Sequence, residues 1–173
     1  MTDIEPVLRQ RWSPRQYDPG HVISDEQVGL LVEAARWAPS ALNRQPWRFI
    51  LGRRGDETRA RIDPHIVEAS GWALDASLLV VNIYEGWDAE LDLPLYDLGG
   101  AVAHMTVQAE ALGFHGRQFA TFDRPGLHAE FGIERPFTAV TITAFGLPPA
   151  GYQHPERVRL DAAALLWPTA HSG

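Results

Sequence analysis

From Ser77 to Tyr84 the chain reads S-L-L-V-V-N-I-Y, an almost unbroken apolar run with one asparagine, bounded by polar segments. A run of that kind predicts a buried central strand. Three more strands are expected around it: Trp47 to Leu51, Arg117 to Phe122, and Phe137 to Phe145, whose F-T-A-V-T-I-T-A-F alternates strictly. Such a sheet needs cover, and the remaining patterns are helical. Ser24 with Gln27, and Ile23 with Val28, form a capping box and a hydrophobic staple. Val28, Leu31, Val32, Ala35 and Ala38 then recur at helical spacing. Tyr96 to Leu112 predicts the longest helix, with Leu98, Ala101, Val102, Met105, Ala109 and Leu112 on one face and Gly113 as its stop.

Shorter helices complete the order. Thr2 and Glu5 form a capping box for a helix over 2–10 with Pro6 in its first turn. Gly52 to Gly55 reads as a turn, Asp56 caps a helix interrupted by Pro64, and Arg124 to Phe131 is a short helix. Gly146 to Pro155 is a proline and glycine loop. The order suggests an α+β sandwich with the sheet covered by helices, in a single domain over 1–173. The apolar tail from about 157 to 173 is too short to stand alone and is expected to pack on its own core or on a neighbouring subunit.

At 173 residues the chain can bury a sizeable core, and 45% hydrophobic with 21% charged residues is ordinary for a soluble protein. No apolar run approaches a membrane span, and the acidic N-terminus lacks a basic signal region, so a cytoplasmic protein without a membrane partner is expected. The absence of cysteine excludes disulfides and thiolate chemistry. A net charge of −7 without a basic run argues against nucleic acid. All 15 basic residues are arginines, so an anion would be held by guanidinium forks or backbone N–H groups.

The main functional clue lies between Arg36 and Phe49, R-W-A-P-S-A-L-N-R-Q-P-W-R-F. Pro39 stops the helix, and the loop offers Ser40, Asn43, Arg44 and Gln45, which suit a flat, polar-edged ligand. Near the N-terminus, Arg9, Arg11 and Arg15 surround Ser13, a plausible cradle for an anion. The acidic stretch with Glu85, Asp88, Glu90 and Asp92 interleaved with Trp87, Leu91 and Leu93 reads as a cover.

Taken together these elements resemble the nitroreductase family of FMN-dependent oxidoreductases. The family's R-x-S-x-R is similar to Arg11, Ser13 and Arg15, and its A-x-W-A-P-S-x-x-N-x-Q-P-W-x-F is similar to Ala35–Phe49. Its D-x-G-x-A followed by A-L-G-L is similar to Y-D-L-G-G-A-V-A-H and A-L-G-F. The resemblance implies an α-β-α sandwich around a mostly antiparallel sheet, and a homodimer with FMN between subunits. The P-S-x-x-N loop would come from one chain and the arginine elements from the other.

On that resemblance the cofactor-binding residues are Arg11, Trp12, Ser13 and Arg15; Pro39, Ser40, Ala41, Asn43 and Gln45; Ala120 and Thr121; and Arg157 and Arg159. The arginines would hold the phosphate, Arg159 being favoured over Arg157, and Arg11 or Arg15 would stabilise the electron-rich N1 and C2 carbonyl edge. Asn43 and Gln45 would read the ring's polar edge or the ribityl hydroxyls, and Pro39, Ser40 and Ala41 would wall its face. Ala120 and Thr121 fall where a backbone N–H approaches flavin N5, while His115 stands where the family has a glycine. The implied reaction carries hydride from NAD(P)H through FMN to a nitroaromatic, quinone or activated alkene, with no protein acid or base required. A flavin-sequestering protein of the same fold is the alternative.

Other chemistries lack their motifs. The seven histidines show no metal-ligand spacing. Ser13 and Ser40 lack the G-x-S-x-G elbow, and L-G-G-A-V-A is not a dinucleotide-binding turn. Trp87, Tyr96, Phe119 and Phe122 are expected in the core or lining the substrate pocket.

Overall fold

A computed structural model describes residues 4–87 and 92–168. Thr2 of the N-terminal capping box, Asp88, Glu90 and Leu91 of the acidic stretch, His171, and the tail from residue 169 lie outside the described residues. Four strands, β1 (Trp47–Arg53), β2 (Leu78–Glu85), β3 (His115–Phe119) and β4 (Phe137–Gly146), form one sheet in the order β1-β2-β4-β3. Every neighbouring pair is antiparallel, with Leu51 opposite Val80 and Val81 opposite Ile142. The apolar run is thus a central strand, as its composition requires.

Side chains alternate across β2, and both sets are buried. Leu78 and Val80 join a core under α2 (Asp25–Arg36) and α4 (Leu93–Ala111), where Leu31, Ala35, Ala101, Val102 and Met105 pack. Leu79, Val81 and Ile83 enter a second core with Ile62 of α3 (Glu57–Ile62), Leu127 of α5 (Arg124–Phe131), and Ile142 and Ala144 of β4. Each fully buried aliphatic side chain contributes about 1.5–3 kcal/mol over an exposed one, so both layers are needed. An α-β-α sandwich results.

Local signals hold where local chemistry decides. Ser24 Oγ accepts the Gln27 N–H at 3.2 Å while the Gln27 side chain accepts the Ser24 N–H at 2.9 Å, completing the capping box. Asp56 caps α3 through the Arg59 N–H. The first helix, α1 (Pro6–Gln10), is shorter than expected, with Pro6 in its first turn.

One expected strand is corrected. β3 begins at His115 and ends at Phe119, so Ala120 and Thr121 lie beyond the ladder. Pairing with β4, His115 opposite Gly146 and Phe119 opposite Ile142, fixes those bounds. Gly116 sits where α4 crosses β3: a Cβ there would lie 2.6 Å from Phe145 Cε1 and 3.2 Å from Thr106 Cγ2. No helix among the described residues is long and apolar enough to cross a membrane.

Candidate functional site

The loop after α2 is held from below by α4. The Ala41 N–H donates to Asp97 Oδ2 at 3.0 Å, and Asp97 is only 6% exposed. Ser40 Oγ accepts the Gln45 N–H at 3.0 Å, and Gln45 Nε2 donates to the Asn43 carbonyl and Oδ1 at 3.1 and 3.2 Å. Leu42, Asn43 and Gln45 have φ of 52°, 55° and 50°, a left-handed backbone that L side chains adopt at a cost of about 1–3 kcal/mol each. Strain of that kind persists only where surrounding bonds impose it. Trp47, buried in the first core, and the Pro46 carbonyl, which accepts the Glu85 N–H at 2.8 Å, pin the far end.

The residues preceding the loop face outward. Glu33 takes both Arg36 nitrogens at 2.7 and 2.6 Å and the Trp37 indole N–H at 2.7 Å. Those donors hold its carboxyl down at about 2. Arg44 lies over the Trp87 ring at 4.8 Å.

The arginine elements meet at a different place. The Arg157 guanidinium caps the end of α1, donating to the carbonyls of Arg9, of Gln10 at 2.9 Å and of Arg11 at 3.0 Å. Arg11 Nη1 lies 3.4 Å from Ser13 Oγ, and the Arg15 N–H meets the Tyr152 hydroxyl at 3.4 Å. Trp12 stacks on Tyr152 with centroids 5.7 Å apart and touches His115 at 4.7 Å and His154 at 5.2 Å. Among the described residues the Arg159 guanidinium donates to the Val158 carbonyl at 2.9 Å. Ala120 and Thr121 are exposed, and the Thr121 carbonyl accepts the Ser70 hydroxyl at 2.8 Å.

Two cavities follow from this layout. Arg11 and Ser13 border a cavity of about 480 Å³ with Thr106, Gly116 and Gln118. Pro39 borders another of about 550 Å³ with Tyr96, Asp97, Gly99 and Gly100. Ala103 of α4 lines both. Among the described residues no hydrogen bond or ion pair joins the loop to the arginine turn within one chain. At 1.5 Å per residue, Asp97 and Thr106 stand about 14 Å apart along α4. The arginine end offers charge-assisted donors for a phosphomonoester, and the small residues of α4 and β3 admit a flat ring.

Of the four aromatic residues considered for a pocket, Phe122 is buried and Phe119 packs against the second core. Tyr96 is 80% exposed at the loop cavity, and Trp87 lines a separate cavity with Tyr84 and Arg135. Sequence reasoning missed the Trp12–His115–Tyr152 cluster and Gln118. No local pattern signals a contact between residues 12, 115 and 152.

The model of the Nitroreductase family matches residues 8–85, from α1 through β2. Over 44 residues the chain is 41% identical to the major NAD(P)H-flavin oxidoreductase of Aliivibrio fischeri, covering 25% of this chain and 20% of that one. Over 60 residues it is 33% identical to the oxygen-insensitive NAD(P)H nitroreductase of Salmonella typhimurium, covering 35% and 27%. These matches span about a quarter of the curated relatives' own length. Among solved structures, an oxidoreductase containing FMN superposes with a TM-score of 0.76 at 28% identity, over 85% of this chain and 78% of that one. Over residues 8–85 this chain is similar to the nitroreductase family. The same fold, at 19% identity and a TM-score of 0.82, is that of the enone reductase CLA-ER, over 98% and 99% of the two chains. The matched residues 8–85 contain both the arginine–serine turn and the amide-bearing loop.

Proposed function

We propose that the protein is an FMN-dependent oxidoreductase, a single-domain cytoplasmic homodimer that carries hydride from NAD(P)H to a nitroaromatic, quinone or activated alkene. One observation supports this most. Two half-sites, a phosphate-competent arginine turn and a strained amide loop, border opposite ends of one exposed small-residue helix face. A second copy packed on that face would bring the loop of one chain to the arginines of the other.

The donor set fits the cofactor. Arg11, Ser13 and Arg15 would hold the phosphate, with Arg157 beside them and Trp12 as their backing. Arg159, whose guanidinium donates to its neighbour's carbonyl here, would join the phosphate from a position set by the dimer. Ser40, Asn43 and Gln45 would bond the ring edge or ribityl chain, and Pro39 and Ala41 would wall the ring. When bound, FMN supplies the hydride chemistry, and the chain orients it and tunes it.

The tail supports the dimer. Val158, Leu160, Leu165, Leu166 and Trp167 are exposed, Trp167 at 88%. An apolar strap of that kind calls for a partner surface. The groove lined by Leu8, Leu30, Ala34, Trp37 and Val107 offers one.

A second reading, flavin binding without turnover, draws on β3: the strand stops at Phe119, leaving Ala120 and Thr121 outside the ladder. Anaerobic mixing of FMN-loaded protein with NADPH and with NADH separates the two. Rapid bleaching of the yellow band is expected of the enzyme, and a persistent oxidised spectrum supports sequestration. Failure to bind FMN at micromolar concentration overturns both.

A further inference from the structure

His115 Nδ1 lies 2.7 Å from Glu110 Oε2, and the two side chains are only 15% and 11% exposed. Glu110 stands in the last turn of α4, where unpaired carbonyls already concentrate negative charge, and burial removes most of the water that would solvate a carboxylate. Such a group persists only with a donor, and His115 is the partner it finds. Because a carboxylate is acceptor-only, the hydrogen sits on Nδ1, which fixes the ring's orientation. The same ring meets Trp12 with centroids 4.7 Å apart, and the indole also packs on Tyr152 and His154.

Trp12 sits between the two groups that line the phosphate-competent cavity. Arg11 and Ser13 flank Trp12 in sequence, and both line that cavity. Trp12 is seated on His115 and Tyr152, while the side chains on either side of it, Arg11 and Ser13, lie 3.4 Å apart at the same cavity.

We propose that the Glu110–His115 pair is a positioning device for the phosphate end of the site: it seats Trp12, and Trp12 aims Arg11 and Ser13. This rests on the FMN reading above. The consequence is selective, because a misaimed arginine turn weakens the hold on a phosphomonoester while leaving the contacts made to the ring.

Riboflavin, which lacks the phosphate, separates the two. Dissociation constants for FMN and riboflavin are measured by flavin fluorescence quenching on wild type, His115→Ala, Glu110→Gln and Trp12→Leu, each checked for folding by circular dichroism. His115→Ala is expected to weaken FMN about tenfold, the effect of about one charge-assisted bond, and riboflavin by less than about twofold. Glu110→Gln, which keeps an acceptor oxygen, is expected to cost about threefold for FMN. On the Trp12→Leu background, His115→Ala should add nothing, because its path to the arginine turn is already gone.

Equal weakening of both flavins, no change in either, or independent effects in the double variant would overturn the proposal. A wild-type protein that binds neither flavin would instead overturn the FMN reading on which it stands.

Discussion

Ala41 and Asp97, 56 positions apart, are joined by one hydrogen bond of 3.0 Å from the loop backbone to a buried carboxylate near the start of α4. That bond ties the strained loop to the helix whose exposed face borders both half-sites. Removing the acceptor leaves the Ala41 N–H unpaired in a largely buried place. Asp97→Ala is therefore expected to lower unfolding stability by about 1–3 kcal/mol and to weaken FMN about tenfold. Asp97→Asn, which retains an oxygen, should recover most of both. Urea unfolding and FMN titration of the two variants check this, and equal losses would refute the role of the acceptor.

Gly116 is required by close packing. Its missing Cβ leaves room for Phe145 and Thr106 where α4 crosses β3. Gly116→Ala should destabilise by about 1–3 kcal/mol through overpacking, and Phe145→Leu on the same chain should return part of the loss. Denaturant midpoints of the single and double variants measure it.

His21 makes stability depend on pH. Its Nδ1 accepts the Leu147 N–H at 3.3 Å and lies 2.9 Å from Ser77 Oγ, and burial, outweighing the opposing pull of the Asp18 carboxylate and aided by the Arg54 guanidinium, holds its protonation below the usual histidine range. A folded-state pKa below the unfolded value near 6.5 means that the unfolded chain binds the proton more readily. The contribution is complete above about pH 6.5 and is lost as pH falls toward the lowered folded value. Thermal unfolding between about pH 8 and 5 should show that slope. His21→Asn, which keeps an acceptor but does not titrate, should flatten it.

The exposed tail predicts an assembly. A chain stopped after Glu156 loses Val158, Leu160, Leu166 and Trp167 together with Arg157. It should sediment as a weaker dimer than the full chain, with weaker FMN binding. Sedimentation equilibrium at micromolar concentration decides it; an unchanged association constant would show that the strap is not part of the interface.

What could be read from the sequence was what neighbouring residues decide. The Ser24–Gln27 box, the Asp56 cap, the α5 bounds and the apolar β2 run all follow from contacts within a few positions. β3 was misplaced because its ends are set by partners on β4, and H-G-R-Q-F carries none of the β-branched signal that made β4 legible. The site divided in the same way. The loop's residues were visible as a motif, whereas its anchoring to α4 and the seat of Trp12 on His115 join segments 56 and 103 positions apart. Sequence spacing carries no record of such contacts. Arg157 and Arg159 differ by where the tail runs, and the guanidinium that reaches the α1 carbonyls is Arg157.

In the proposed dimer each flavin site draws its arginine turn from one chain and its amide loop from another. Subunit complementation distinguishes this arrangement: Arg11→Glu and Asp97→Ala chains, both weaker than wild type when alone, are co-refolded, and the sites that bind FMN with wild-type affinity are counted by titration. Random pairing of a two-fold dimer makes half the dimers mixed, and each mixed dimer carries one site free of both substitutions. About one wild-type-affinity FMN site per four chains should be recovered, whereas no recovery on mixing would place the whole site within a single chain and contradict the shared arrangement.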